Sequence, residues 1–227
     1  MTLQHVDIVF QLIVFLLAIS VHESAHAWMA NRLGDPTARM LGRVTLNPIK
    51  HIDPVGTILL PAIALFAGFP VLGWAKPTPV DPRNFKNQVS DDILTSVAGP
   101  VSNFALALIA LLVLALIKFA SPLGEQIVFS IPQGVLDTET NSVLLPICLL
   151  LYELMVINVV LGVFNLIPVA PLDGSHVLRH FLPSGALRVY DAVGIFALMA
   201  LIYLAPGMLG KLIYPVLGVF NSILSRI

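Results

Sequence analysis

Ile19-Ser20-Val21-His22-Glu23-Ser24-Ala25-His26-Ala27-Trp28 places two histidines and a glutamate inside a long apolar run. Helix positions four apart share a face, so His22 and His26 can each turn a ring nitrogen toward one metal ion. Glu23 stands beside them, where its carboxylate can take a proton from water at that ion. With 6 His and 4 Glu in the chain, this H-E-x-x-H spacing arises by chance in roughly three of a thousand such sequences. The bland alternative is two polar helix histidines with no metal. Location argues against it, because each ionisable group in a bilayer costs roughly 2.5–3.5 kcal/mol or more.

The surroundings of this stretch are those of a membrane protein. The chain is 57% hydrophobic and 11% charged, with mean hydropathy +0.92, too little polar surface for a water-soluble domain. A net charge of −1 argues against a nucleic-acid partner. The single cysteine, Cys148, excludes an intrachain disulfide. Residues 8–19 lack the basic leader and small-residue cleavage site of a signal peptide.

Residues 6–32 read as one membrane helix, stopped by Gly34 and Pro36. Residues 54–72 are apolar but carry Pro61, Gly68 and Pro70, and Gly73-Trp74-Ala75-Lys76-Pro77-Thr78-Pro79-Val80 reads as extended chain. Further apolar segments run over 93–120, 143–169, 187–205 and 208–225, with a short amphipathic piece from Asp173-Gly174 to about Leu182. Residues 32–90 hold seven Lys or Arg against three Asp, whereas the loop 121–142 holds none. The positive-inside rule therefore places 32–90 in the cytoplasm and 121–142 outside. That scheme closes only if 54–72 crosses an even number of times, as a re-entrant hairpin does.

The expected architecture is all-α and polytopic: a helical bundle of about five to six transmembrane segments. A re-entrant or extended segment separates its first and second core helices. One integral-membrane domain covers residues 1–227, with a core over 6–182 and a C-terminal helix hairpin over 187–225.

A catalytic zinc normally has three protein ligands, so two histidines leave the set incomplete. Asp173 follows Pro168 and Pro171 at the inner end of the fourth segment, and Gly174 permits a sharp turn beside it. Ligand and helix N-cap are both open for its carboxylate. His176 and His180 form another i, i+4 pair without a suitably placed glutamate. Asn103 and Asn158 read as helix–helix hydrogen-bonding groups.

Three motifs together, His22-Glu23-x-x-His26, Ala98-Gly99-Pro100-x-x-Asn103 and Asn165-x-x-Pro168 leading to Leu172-Asp173-Gly174, resemble the site-2 protease family of intramembrane zinc metalloproteases. Asn47-Pro48, Gly73-Trp74-Ala75-Lys76-Pro77 and Pro82-Arg83-Asn84-Phe85 are similar to its small bacterial and archaeal branch. The resemblance implies one zinc per chain held by His22, His26 and Asp173, with Glu23 activating water. It implies that Asn165 stabilises the transition state or holds the substrate backbone. The substrate is then a transmembrane protein cut within or near its membrane segment. The enzyme is multi-pass in the plasma membrane of a prokaryote, with its site toward the cytoplasm. Ser175-His176 departs from the Gly-Arg or Ser-Arg of many relatives. The loop 121–142 is too short for a PDZ domain, so regulation is expected from partners. Two rival readings remain: a metal or ion transporter using His22, Glu23 and His26, and a catalytically inactive membrane scaffold.

Overall fold

The computed structural model describes residues 3–59, 63, 74–134 and 142–226. The regular elements among them are helices: α1 (Leu3–Leu33), α2 (Thr37–Met40), α3 (Gln88–Ala120), α4 (Pro122–Ser130), α5 (Leu144–Asn165), α6 (Asp173–Arg179), α7 (Ser184–Leu204) and α8 (Pro206–Arg226). Among the described residues, five helical stretches are long and apolar enough to cross a membrane: Phe10–Leu33, Gln88–Ala120, Leu144–Asn165, Ser184–Leu204 and Gly207–Arg226. The all-α polytopic architecture follows from the sequence as expected. The re-entrant hairpin expected over 54–72 lies, beyond Leu59 and apart from Ile63, outside the described residues. The stretch from Trp74 to Val80, expected as extended chain, forms no helix or turn, in keeping with its prolines.

Local chemistry sets the helix ends. Gly34, at φ +116°, follows the last residue of α1 in a conformation other residues rarely adopt. A 33-residue α3 is about 50 Å long at 1.5 Å per residue, more than a hydrocarbon core of ~30 Å spans. Its polar start, Gln88 to Asp92, therefore projects beyond the apolar layer, and Asp91 accepts the Asn87 N–H at 2.9 Å there.

The contacts divide the chain into two compact units, residues 19–102 and residues 1–18 with 103–227. In the second, Ala107, Ala110, Leu111 and Leu114 of α3 pack with Ile127 and Val128 of α4, Met155 and Val159 of α5, and Leu224 of α8. Without a hydrophobic force between helices in lipid, close packing and polar contacts hold them together. A methyl on Gly162 would come 2.9 Å from the Phe104 ring, so that glycine lets α5 approach α3. Asn103 donates to Asn158 at 2.7 Å, and Asn158 donates to the Leu154 carbonyl at 2.8 Å. The expected role of both asparagines as helix–helix links is what the structure shows. Lys118 donates to the Leu224 and Ser225 carbonyls at 3.1 and 3.4 Å, satisfying orphan acceptors at the end of α8.

Helix α4 was expected only as part of a loop. Ser121 caps it through the Gly124 N–H at 3.0 Å, and Pro122 occupies its first position. Its buried Ile127 and Val128 join the core.

Candidate active site

The second half of α1 carries His22, Glu23 and His26. Both histidines are buried, at 7% exposure each. Their Nε2 atoms lie 3.0 Å apart. Two nitrogens bound to one tetrahedral zinc at 2.0–2.1 Å are separated by about 3.3 Å, so the pair is spaced for a shared ion. His26 Nδ1 lies 2.7 Å from the Thr95 carbonyl of α3. A carbonyl only accepts, so Nδ1 carries the proton and Nε2 keeps its lone pair for a metal. One turn along α3, a Cβ on Gly99 would meet His26 Nε2 at 2.3 Å and His22 Cε1 at 2.6 Å. The hollow over the two rings exists because residue 99 has no side chain. Donor type, spacing and clearance all fit zinc.

Glu23 lies against the extended segment. The Thr78 hydroxyl is 2.7 Å from Glu23 Oε2 and 3.0 Å from the Glu23 carbonyl oxygen. That segment is tied on both sides of Thr78. Arg43, 4% exposed, donates to the carbonyls of Lys50, Lys76 and Pro77, the last at 2.9 Å. The Lys76 N–H donates to the His51 carbonyl at 2.8 Å, and the Trp74 N–H to Gly56 at 3.2 Å. A Cβ on Gly56 would lie 2.4 Å from the Trp74 indole, so glycine is required there. Beyond Thr78, fully buried Asp35 accepts from the Asp81 N–H and Asn84 Nδ2, both at 2.8 Å, and from the N–H and hydroxyl of Thr37.

The charges respond to these contacts. Burial lowers the Arg43 pKa, and the charge of Glu23 offsets part of that. Burial pushes Asp35 upward, but its hydrogen bonds from Thr37, Asp81 and Asn84 outweigh this and leave it below the ordinary carboxylate value. Asp81, hydrogen-bonded to the exposed Arg83, falls to about 2.

The other unit holds Asn165 and Asp173. Asn165 ends α5 and donates one amide hydrogen to the Leu161 carbonyl at 3.0 Å. Asp173 is the first residue of α6, and the N-cap position belongs to Leu172, with no side-chain cap bond. Gly174 is helical, and its need is different from the sharp turn expected. A Cβ there would meet the Leu166 carbonyl oxygen at 2.3 Å and that of Ile167 at 2.7 Å. The missing side chain lets α6 press onto the backbone that follows α5. His176 and His180 lie at the end of α6.

Thr78, Arg43, Asp35 and Thr95 were not singled out from the sequence. Only Asp35 carried a local signal, since Asp-Pro-Thr favours a side-chain-closed turn.

The model of Peptidase family M50 matches residues 10–204. "Putative zinc metalloprotease YwhC" of Bacillus subtilis (strain 168) is 40% identical over 176 residues, covering 78% of this chain and 70% of that protein. "Putative zinc metalloprotease Rip2" of Mycobacterium tuberculosis (strain ATCC 25618 / H37Rv) is 27% identical over 198 residues, or 86% of this chain and 67% of the relative. No solved structure is a significant match. The chain belongs to Peptidase family M50. It is a multi-pass membrane zinc metalloprotease, and nothing favours a transporter or an inactive scaffold.

Proposed function

We propose that His22, His26 and Asp173 hold the zinc ion, one per chain, with Glu23 as general base and Asn165 as a hydrogen-bond donor to the developing oxyanion. The observation that carries this reading is the pair of Nε2 atoms 3.0 Å apart under the gap left by Gly99. Two imidazoles and one carboxylate are a usual catalytic zinc set, and it leaves a position for water or substrate.

When bound, zinc polarises the scissile carbonyl and makes water easier to deprotonate. Glu23 takes the proton of the attacking water and returns it to the leaving amide nitrogen. Asn165 spends one amide hydrogen on Leu161, and its second hydrogen is the donor assigned to the oxyanion. Thr95 holds the His26 tautomer through Nδ1.

The substrate is an unwound membrane segment of another protein, and residues 74–80 are the edge along which it pairs. Pro77 and Pro79 remove two N–H groups and suit an edge that must not pair with its own copies. The Trp74 and Lys76 N–H groups are already given to Gly56 and His51, which braces the segment from one side. The charge asymmetry between residues 32–90 and 121–142 puts this edge and the site at the cytoplasmic side of a prokaryotic plasma membrane.

Two variants test the reading. Glu23→Gln should keep zinc and cleave no single-span membrane protein; cleavage at the normal rate would remove Glu23 as base. Asp173→Ala should lose zinc. Undiminished zinc there, with loss in His176→Ala instead, would move the third ligand to His176.

A further inference from the structure

We propose that Thr78 is a positioning residue for Glu23, fixing the carboxylate of the general base from the extended segment. The inference rests on the reading of Glu23 given above and assigns a role to a residue outside the three motifs.

The geometry is specific. The hydroxyl proton of Thr78 has two acceptors within reach, Glu23 Oε2 at 2.7 Å and the Glu23 carbonyl oxygen at 3.0 Å. It thus contacts both the tip and the root of one side chain, which a bond to the carboxylate alone would not do. A glutamate side chain has three rotatable bonds, and a contact at one carboxylate oxygen removes most of that freedom. Threonine is stiff at χ1 because its Cβ is branched, so the hydroxyl does not wander.

The backbone that carries Thr78 is as fixed as the hydroxyl. Arg43 holds the carbonyls of the two preceding residues, Lys76 and Pro77. Asp35 holds the Asp81 N–H three residues later at 2.8 Å. Pro77 and Pro79 flank Thr78 and fix their own φ angles. Two buried charged groups, on either side, therefore converge on the placement of one hydroxyl. A loop that merely covered the site would need no such bracing. A misplacement of about 1 Å in a reacting group can lower a rate about 100-fold, which is the size of effect this bracing prevents.

The test uses the full chain in detergent with three variants and two readouts. The first is the infrared carboxylate band of Glu23, identified by its disappearance in Glu23→Gln. The second is cleavage of a quenched fluorescent single-span peptide whose apolar stretch is interrupted by Asn-Gly. Thr78→Val, of the same shape without the hydroxyl, should shift the band and lower kcat about 10- to 100-fold, with KM, zinc content and melting temperature unchanged. Thr78→Ser should restore the band and most of kcat. An unmoved band, an unchanged kcat, a change confined to KM, or no rescue by serine each overturns the proposal. Loss of zinc or of folding in Thr78→Val would make the residue structural and overturn it equally. Failure of the underlying reading looks different: Glu23→Gln would itself remain active, whatever Thr78 does.

Discussion

Gly99 stands directly over His26: a methyl on its α carbon would come 2.3 Å from Nε2, and 2.6 Å from Cε1 of His22. Real Cβ contacts do not become so short, and neither ring can retreat. His26 is tied to Thr95, and both rings are buried. Gly99→Ala should therefore lose zinc and activity together, by at least about 100-fold in kcat/KM. Its helices should stay intact, since alanine favours a helix by about 1 kcal/mol over glycine. Metal analysis beside circular dichroism decides the case. A zinc-replete, active Gly99→Ala protein would show that the rings move freely.

Asn165 is assigned a donor role without a metal bond, because its amide cannot compete with imidazole or carboxylate for zinc. Asn165→Ala should keep one zinc and the wild-type melting temperature while losing about 10²–10³ in kcat. Normal cleavage by this variant would reduce Asn165 to a cap on Leu161. Asn103 could not simply replace it, because its amide nitrogen already reaches both Asn158 Oδ1 and the Ala18 carbonyl.

Acid should loosen the extended segment before it unfolds the helices. The folded pKa of Asp35 lies below the ordinary carboxylate value. Its contribution to stability is thus fully present above the unfolded value and lost as pH falls through the folded one. Asp81, at about 2, follows the same sign, but its partner Arg83 lies on the surface and such an ion pair adds little. Fluorescence of Trp74 in a Trp28→Phe background should hold steady through neutral and mildly acid pH and change only below the ordinary carboxylate range. Asp35→Asn should remove most of that change. A transition at the same pH in both proteins would assign it elsewhere.

The orientation can be read from a single cysteine. Gln133 is exposed at the end of the turn after α4. In a Cys148→Ser background, Gln133→Cys should label from outside intact cells with an impermeant thiol reagent. Labelling only after the cells are opened would invert the topology.

The sequence was most legible where one period or one long run carried the information. His22 and His26 are four apart, and that alone puts them on one face. The spans 93–120 and 143–169 were visible because no soluble core needs such runs, and the observed helices differ from them by a few residues. Helix α4 escaped because it is only nine residues long, so Leu123, Ile127, Val128 and Phe129 cover too few turns to establish a period. Arg43 and Asp35 looked like solvated charges of a basic loop. What buries them is backbone: carbonyls 33 and 34 positions from Arg43, and an amide 46 positions from Asp35. Those partners have no sequence signature, since every residue has a carbonyl. Thr78 was hidden for the same reason, being placed by its neighbours' backbone and not by its own pattern.

The Lys118 ammonium that closes the end of α8 has a practical corollary. Its acceptors, the carbonyls of Leu224 and Ser225, belong to the kind of terminal stretch often trimmed when an expression vector is prepared. Ending the polypeptide before Leu224 would leave a cation in an apolar setting with nothing to hold, and such stranded charges cost several kcal/mol. A purification handle should accordingly be appended after this stretch through a flexible spacer, never substituted for it.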